Sequence, residues 1–108
     1  MDITYFDRSA AAADVKAYID RWGFAVVTGR GRPDAMAGIR RDIKSYGRGM
    51  QPLELPFFGG ALKKVDGLIA KSSAAVELID DPFVIALAEA FLGAEPLLNG
   101  SAGFILEK

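Results

Sequence analysis

From Ser9 to Trp22, the apolar residues Val15, Tyr18, Ile19 and Trp22 fall at i, i+3, i+4 and i+7. That spacing makes one stripe of a helix, with Ser9 as its cap and Gly23 as its end. Phe24–Thr28 is a short β-branched apolar run and predicts a buried strand. Pro33 and Asp34 open a second helix that extends to about Tyr46. Met36, Ile39, Ile43 and Tyr46 form its inward stripe, with Arg40, Arg41 and Lys44 opposite. Gly47–Gly60 is a long Gly/Pro-punctuated connection of the kind that is often functional. The following ALKKVDGLIAK fits either irregular structure or a weak helix. Ser72 or Ser73 then caps a short helix that ends at Ile79. Asp81 and Pro82 start another, whose inward face is Phe83, Leu87, Ala90 and Phe91 and whose end is Gly93. PLLN and SAGFILE read as two strands joined at Asn99–Gly100, a two-residue hairpin signal.

The 108 residues suffice for one domain with a modest core, and 51% are hydrophobic against 25% charged. The net charge is -1, so the whole chain has no electrostatic attraction for nucleic acid or anionic membrane. Residues 1–50 carry nine Lys/Arg and six Asp/Glu, and residues 51–108 carry four and eight, a split of +3 and -4 that fits two solvated faces. No apolar run approaches the roughly 20 residues that span a bilayer, and the start has no signal-peptide pattern. The expected location is cytoplasmic.

Two counts narrow the chemistry more than any motif does. The chain has no Cys and no His. Disulfides, zinc–thiolate sites, cysteine nucleophiles and every His-dependent triad are thereby excluded. The side chains most used for transition-metal binding and for proton transfer near neutral pH are absent.

Four clusters remain. GRGRPD sets Arg30 and Arg32 ahead of a helix start, an anion-site composition, but without the Lys–hydroxyl ending of a P-loop it reads first as a turn. Arg40, Arg41, Lys44 and Arg48 have no interleaved aromatic platform and read as a solvated helix face. Glu77, Asp80 and Asp81 could gather around a hard cation, yet Asp81 has a capping role and the spacing is not that of a calcium loop. Lys63 and Lys64 lie between apolar residues. A lysine there either snorkels to water or points its ammonium into a pocket that takes a carboxylate.

In order along the chain, RWGFAVVTG, FFGGALKKVDGLIAKSSAAVELIDDPFVIALAEAFLG and SAGFILEK resemble the N-terminal part of the phytanoyl-CoA dioxygenase (PhyH-like) family. The best-matching stretch is DDPFVIALAEAFLG, and GLIAKSSAAVELI leads into it. The likeness covers about Trp22 to Lys108. It implies an α+β chain, residues 1–108 as a single domain, whose N-terminal helices pack on the first strands of a double-stranded β-helix (jelly-roll, cupin-like) core that is incomplete in this chain. It also implies a parent enzyme of the non-haem Fe(II)/2-oxoglutarate-dependent dioxygenase class, which hydroxylates a small organic substrate. The family holds iron with a His-x-Asp pair and a distal His, and none of these is in this sequence.

The resemblance carries two positions over, both to the cosubstrate site. Lys64 matches the family's basic residue that reaches 2-oxoglutarate, and Phe104 matches an apolar residue that borders it. It implies no catalytic or metal residue in this chain, and no tight binding of Fe(II) or 2-oxoglutarate to this chain alone. The terminal hairpin would need C-terminal strands or an oligomer partner to cover it. The alternative is a stand-alone, non-catalytic binding or scaffold domain derived from the same fold.

Overall fold

The computed structural model describes residues 3–53 and 62–106. Nine elements follow in order: β1 (Tyr5–Phe6), α1 (Ala12–Trp22), β2 (Val26–Val27), α2 (Pro33–Gly47), β3 (Leu62–Asp66), α3 (Leu68–Lys71), α4 (Ser73–Ile79), α5 (Pro82–Leu92) and β4 (Ala102–Leu106). The chain is thus mixed helix and strand, and its described strands form two two-stranded sheets. No helix among the described residues is long and apolar enough to cross a membrane. Packing divides the chain into two compact units, Met1–Arg32 with Glu77–Leu97, and Pro33–Val76 with Leu98–Lys108.

In the first unit, α1 packs with α5, and Val15, only 1% exposed, is the buried residue of α1. Gly23 ends α1 at φ 85°, a left-handed conformation that needs glycine, and its N–H donates to Ile19 O at 2.7 Å. The N-terminal cap differs from expectation. Ala11 holds that position and makes no side-chain cap bond. Ser9 instead donates its N–H (2.8 Å) and its hydroxyl to Asp7 Oδ1. Aspartate two residues earlier competes for the serine through a tight local turn.

The second strand also departs from the sequence reading. Only Val26 and Val27 of the 24–28 run are extended, and they are half-buried rather than buried. They pair in parallel with Tyr5 and Phe6, a strand too short to give a periodic signal. Phe6 rests edge-on against Tyr18 with ring centroids 5.3 Å apart, an arrangement aromatic quadrupoles favour. Asp81 caps α5 as expected, accepting from Phe83 N at 2.9 Å with Pro82 behind it, and Gly93 closes the helix at φ 69°. The apolar composition of α5 runs round the helix, so Val84, Phe91 and Leu92 remain exposed. The expected inward placement of Phe91 therefore fails; instead Lys16 Nζ stands 4.9 Å from its ring centroid, a cation–π contact.

The second unit is built on α2. Its buried residues are Ala35, Gly38 and Gly47, whereas Met36 and Tyr46, expected inside, are 37% and 49% exposed. Size explains the rotation. A Cβ on Gly38 would lie 3.1 Å from Ala74 Cβ, and one on Gly47 would collide with Ile105 Cδ1. The small residues let the helix come close, so they, and not the bulkiest ones, choose the packed face.

The ALKKVDGLIAK stretch resolves into β3, a left-handed Gly67 (φ 62°) and the single turn of α3. Its residue 61 lies outside the described residues, as do 54–60 of the long connection and Lys108. The expected hairpin of PLLN with SAGFILE does not form. Residues 96–99 are not a strand, and β4 pairs antiparallel with β3, from Leu62↔Leu106 to Asp66↔Ala102. Pro96 has no N–H for a ladder, and β3 offers a five-residue partner with matching alternation. Gly103 and Ile105 face α2 on one side of this sheet. The alternation then leaves Phe104 (56% exposed) and Leu106 (75%) on the other, open side.

Candidate functional site

The open face of the β3–β4 sheet begins with strand alternation. Leu62, Lys64 and Asp66 project to one side of β3, and Lys63 and Val65 to the other. Val65 is 1% exposed, which identifies its side as the packed one. Lys64 is therefore on the open face. Its register partner across the sheet is Phe104. Side chains at directly opposed positions stand within contact reach, so the ammonium stem and the ring are neighbours although 40 positions separate them in sequence. Lys64 Nζ lies 3.0 Å from Asp66 Oδ1, two residues along the same strand.

These residues line an open groove of about 720 Å³, whose walls also include Ile69, Asn99 and Ser101. Its floor at the strand end is fastened by Ser101. The carbonyl of Ser101 accepts from Leu68 N at 3.3 Å, and its hydroxyl accepts from Ile69 N at 3.1 Å. Lys71 Nζ donates to Asp66 O at 2.7 Å and sits 5.4 Å from the Tyr46 ring centroid. Gly67, in the left-handed region, makes the sharp corner between these contacts. The corner is held by these four backbone and side-chain interactions, while the Lys64 and Phe104 side chains stay accessible. Chemically the groove offers one ammonium, one carboxylate, two neutral hydrogen-bonding side chains and an apolar wall.

Two other sequence candidates neutralise each other in the first unit. Arg30 donates from Nε to Asp81 Oδ2 at 3.0 Å and from a terminal nitrogen to Asp81 Oδ1. Its remaining terminal nitrogen donates to Arg8 O at 3.0 Å, and its guanidinium lies 4.8 Å from the Phe83 ring centroid. Arg32 pairs with Glu77 at 2.5 Å. The arginines of GRGRPD are thus counter-ions of the acidic cluster considered for a cation. Among the described residues no three His, Cys, Asp or Glu side chains converge as a metal site. Arg40, Arg41, Lys44 and Arg48 are all exposed, with Arg41 Nε 3.3 Å from Asp42 Oδ1.

Three carboxyls are held below their ordinary value of 3.8: Asp81 chiefly by its hydrogen bonds from Arg30, Asp42 by the Ser72 hydroxyl at 2.7 Å, and Asp7 by the Ser9 hydroxyl. Burial opposes the shift in each case. A folded-state pKa below the unfolded one contributes stability above the unfolded value, and that contribution disappears as pH falls through the folded value. The melting temperature should therefore be flat from about pH 8 to pH 5 and fall below about pH 4. Asp81→Asn should flatten part of that fall in a thermal-melt series; an unchanged acid limb in the variant would refute the assignment.

Sequence reasoning singled out Lys64 and Phe104, and both line one groove. It missed Asp66 as the partner of Lys64 and Arg30 as the partner of Asp81. A strand assignment for 62–66 would have exposed the first, because i and i+2 share a face only in a strand. The second pair is 51 positions apart and has no local signal. No family model and no curated protein matches the chain.

Proposed function

We propose that this chain forms the cosubstrate-facing sheet corner of a PhyH-like, non-haem Fe(II)/2-oxoglutarate-dependent dioxygenase acting on a small organic substrate. The observation that carries the reading is the pairing of Lys64 with Phe104 in the groove on the open side of β3–β4. Lys64 binds a carboxylate of the 2-oxoacid by a charge-assisted hydrogen bond. Phe104 lies along its carbon chain and excludes water from one side. Asn99 and Ser101 supply neutral donors at the end of the groove.

The residues of this chain do not fit the family's iron. That centre needs two imidazoles with a carboxylate, leaving open positions for the 2-oxoacid and oxygen, and the sequence has no histidine. In the proposal the ligands belong to residues outside these 108, and so do the remaining strands of the jelly-roll core. The lack of histidine equally favours the second reading, a non-catalytic binding domain that keeps only the groove.

Titration of 2-oxoglutarate into the 108-residue protein, followed by calorimetry and by the Lys64 side-chain resonances, tests the groove. A single exposed ammonium and one apolar wall correspond to a Kd on the order of 1 mM. Lys64→Met should weaken binding about fivefold or more, and equal binding by the variant would overturn the proposal. With Fe(II) and 2-oxoglutarate together, no succinate should form from this chain; succinate release would show that it assembles an iron site after all.

A further inference from the structure

We propose that Asp66 is a built-in competitor for the anion site on Lys64, and that it sets the groove's affinity and its discrimination between singly and doubly charged ligands. The inference rests on reading the Lys64–Phe104 groove as a carboxylate site. It adds a residue with which that reading does not deal.

The geometry is direct. Lys64 and Asp66 are two apart on β3, so the pleat places both on the open face. Asp66 Oδ1 is 3.0 Å from Lys64 Nζ, the distance at which a ligand carboxylate would bind. Both residues line the groove, and they are its charged residues among the described ones. The walls therefore sum to zero charge with Asp66 present and to +1 without it.

Accessibility makes this an exchangeable contact rather than a locked one. The Asp66 side chain is 70% exposed and that of Lys64 39%. An ion pair so open to water is weak and yields to a competing carboxylate. Asp66 is held in place by its backbone, whose carbonyl accepts from Lys71 Nζ at 2.7 Å. Among the described residues the Asp66 carboxylate has the Lys64 ammonium as its ion-pair partner and accepts no hydrogen bond from another group. An entering anion thus has to take Lys64 from Asp66, whose released carboxylate then repels the ligand. The repulsion is greater for a dianion, because its second charge stays in the same groove within a Debye length.

Glutarate and butyrate, matched in chain form but differing by one charge, are suitable probes beside 2-oxoglutarate. Each is titrated into wild type, Asp66→Asn, Lys64→Met and the double variant, with thermal melts to check folding. Asp66→Asn preserves the backbone bond and the side-chain shape. It should tighten glutarate about threefold to fivefold and butyrate less. In the Lys64→Met background the same change should give little gain, which separates competition for Lys64 from a general effect of net charge.

Unchanged or weaker glutarate binding in Asp66→Asn overturns the inference, as does an equal gain with and without Lys64. Where wild-type binding is too weak to measure, its appearance in Asp66→Asn supports the inference and its absence there overturns it. The function is judged by a different comparison. Equal binding of 2-oxoglutarate and glutarate to the wild type would remove support for a 2-oxoacid site and leave the role of Asp66 standing.

Discussion

Asp81→Ala lowers the stability of the protein by about 2–4 kcal/mol, a fall in melting temperature of roughly 10–20 °C. Two losses combine. The alanine cannot accept from Phe83 N, and loss of an N-cap acceptor costs about 1 kcal/mol. It also leaves Arg30 without the carboxylate that takes two of its donors. The Asp81 side chain is only 10% exposed and that of Arg30 24%, so water replaces the lost partner poorly. Asn at position 81 retains the cap and loses the charge, and should fall between alanine and wild type. Arg30→Lys should resemble the asparagine variant, because an ammonium cannot span both carboxylate oxygens and the Arg8 carbonyl while lying over Phe83. Chemical denaturation measures all three. A wild-type midpoint for Asp81→Ala would show that the cluster contributes nothing.

The second large effect lies in the other unit, at the contact of α2 with the β3–β4 sheet. A Cβ at Gly103 would stand 2.6 Å from Ile43 Cδ1 and 2.7 Å from Ile43 Cγ1. Two successive atoms of one side chain would have to move, and Val65 beside them is buried. Gly103→Ala should therefore cost about 1–3 kcal/mol, and Gly103→Val more, by overpacking. Gly47 offers the contrast. Its added Cβ collides with the Cδ1 tip of Ile105 alone, the next atom being 3.7 Å away, and rotation of that tip relieves it. Gly47 closes α2, and replacing a helical glycine by alanine recovers up to about 1 kcal/mol. Gly47→Ala should thus be near neutral. Equal destabilisation by the two alanines would mean that the helix simply retreats from the sheet. Because Gly103 adjoins Phe104, Gly103→Val should also weaken the groove's anion binding, read in the same titrations.

Legibility in the sequence followed the range of the forces involved. The ends of α1 and α5 were readable because Gly23, Asp81, Pro82 and Gly93 act on their own backbone and nearest neighbours. The inward face of α2 was misread because periodicity weighs hydrophobicity, while the packed face was chosen by the small size of Ala35, Gly38 and Gly47. The hairpin at Asn99–Gly100 was misread because a turn signal is local, whereas the partner of β4 lies some forty residues back. Lys63 and Lys64 stood out by their apolar neighbours, a resemblance chose Lys64 between them and added Phe104, and Asp66 escaped notice because 62–66 had no settled secondary structure. In a helix, i and i+2 point apart; in a strand they share a face.

The sequence alone settled which chemistry this chain's own side chains cannot perform. Without His or Cys there is no thiolate, no imidazole base and no imidazole ligand, whatever the fold. It also set where the longer helices end, since capping is decided by residues one to four positions apart. The tertiary structure alone decided that Lys64 faces Phe104, that Asp66 occupies the Lys64 ammonium, and that Arg30 and Asp81 neutralise each other. Strand register and cross-chain ion pairs depend on distances in space between residues far apart in sequence, which no local pattern encodes.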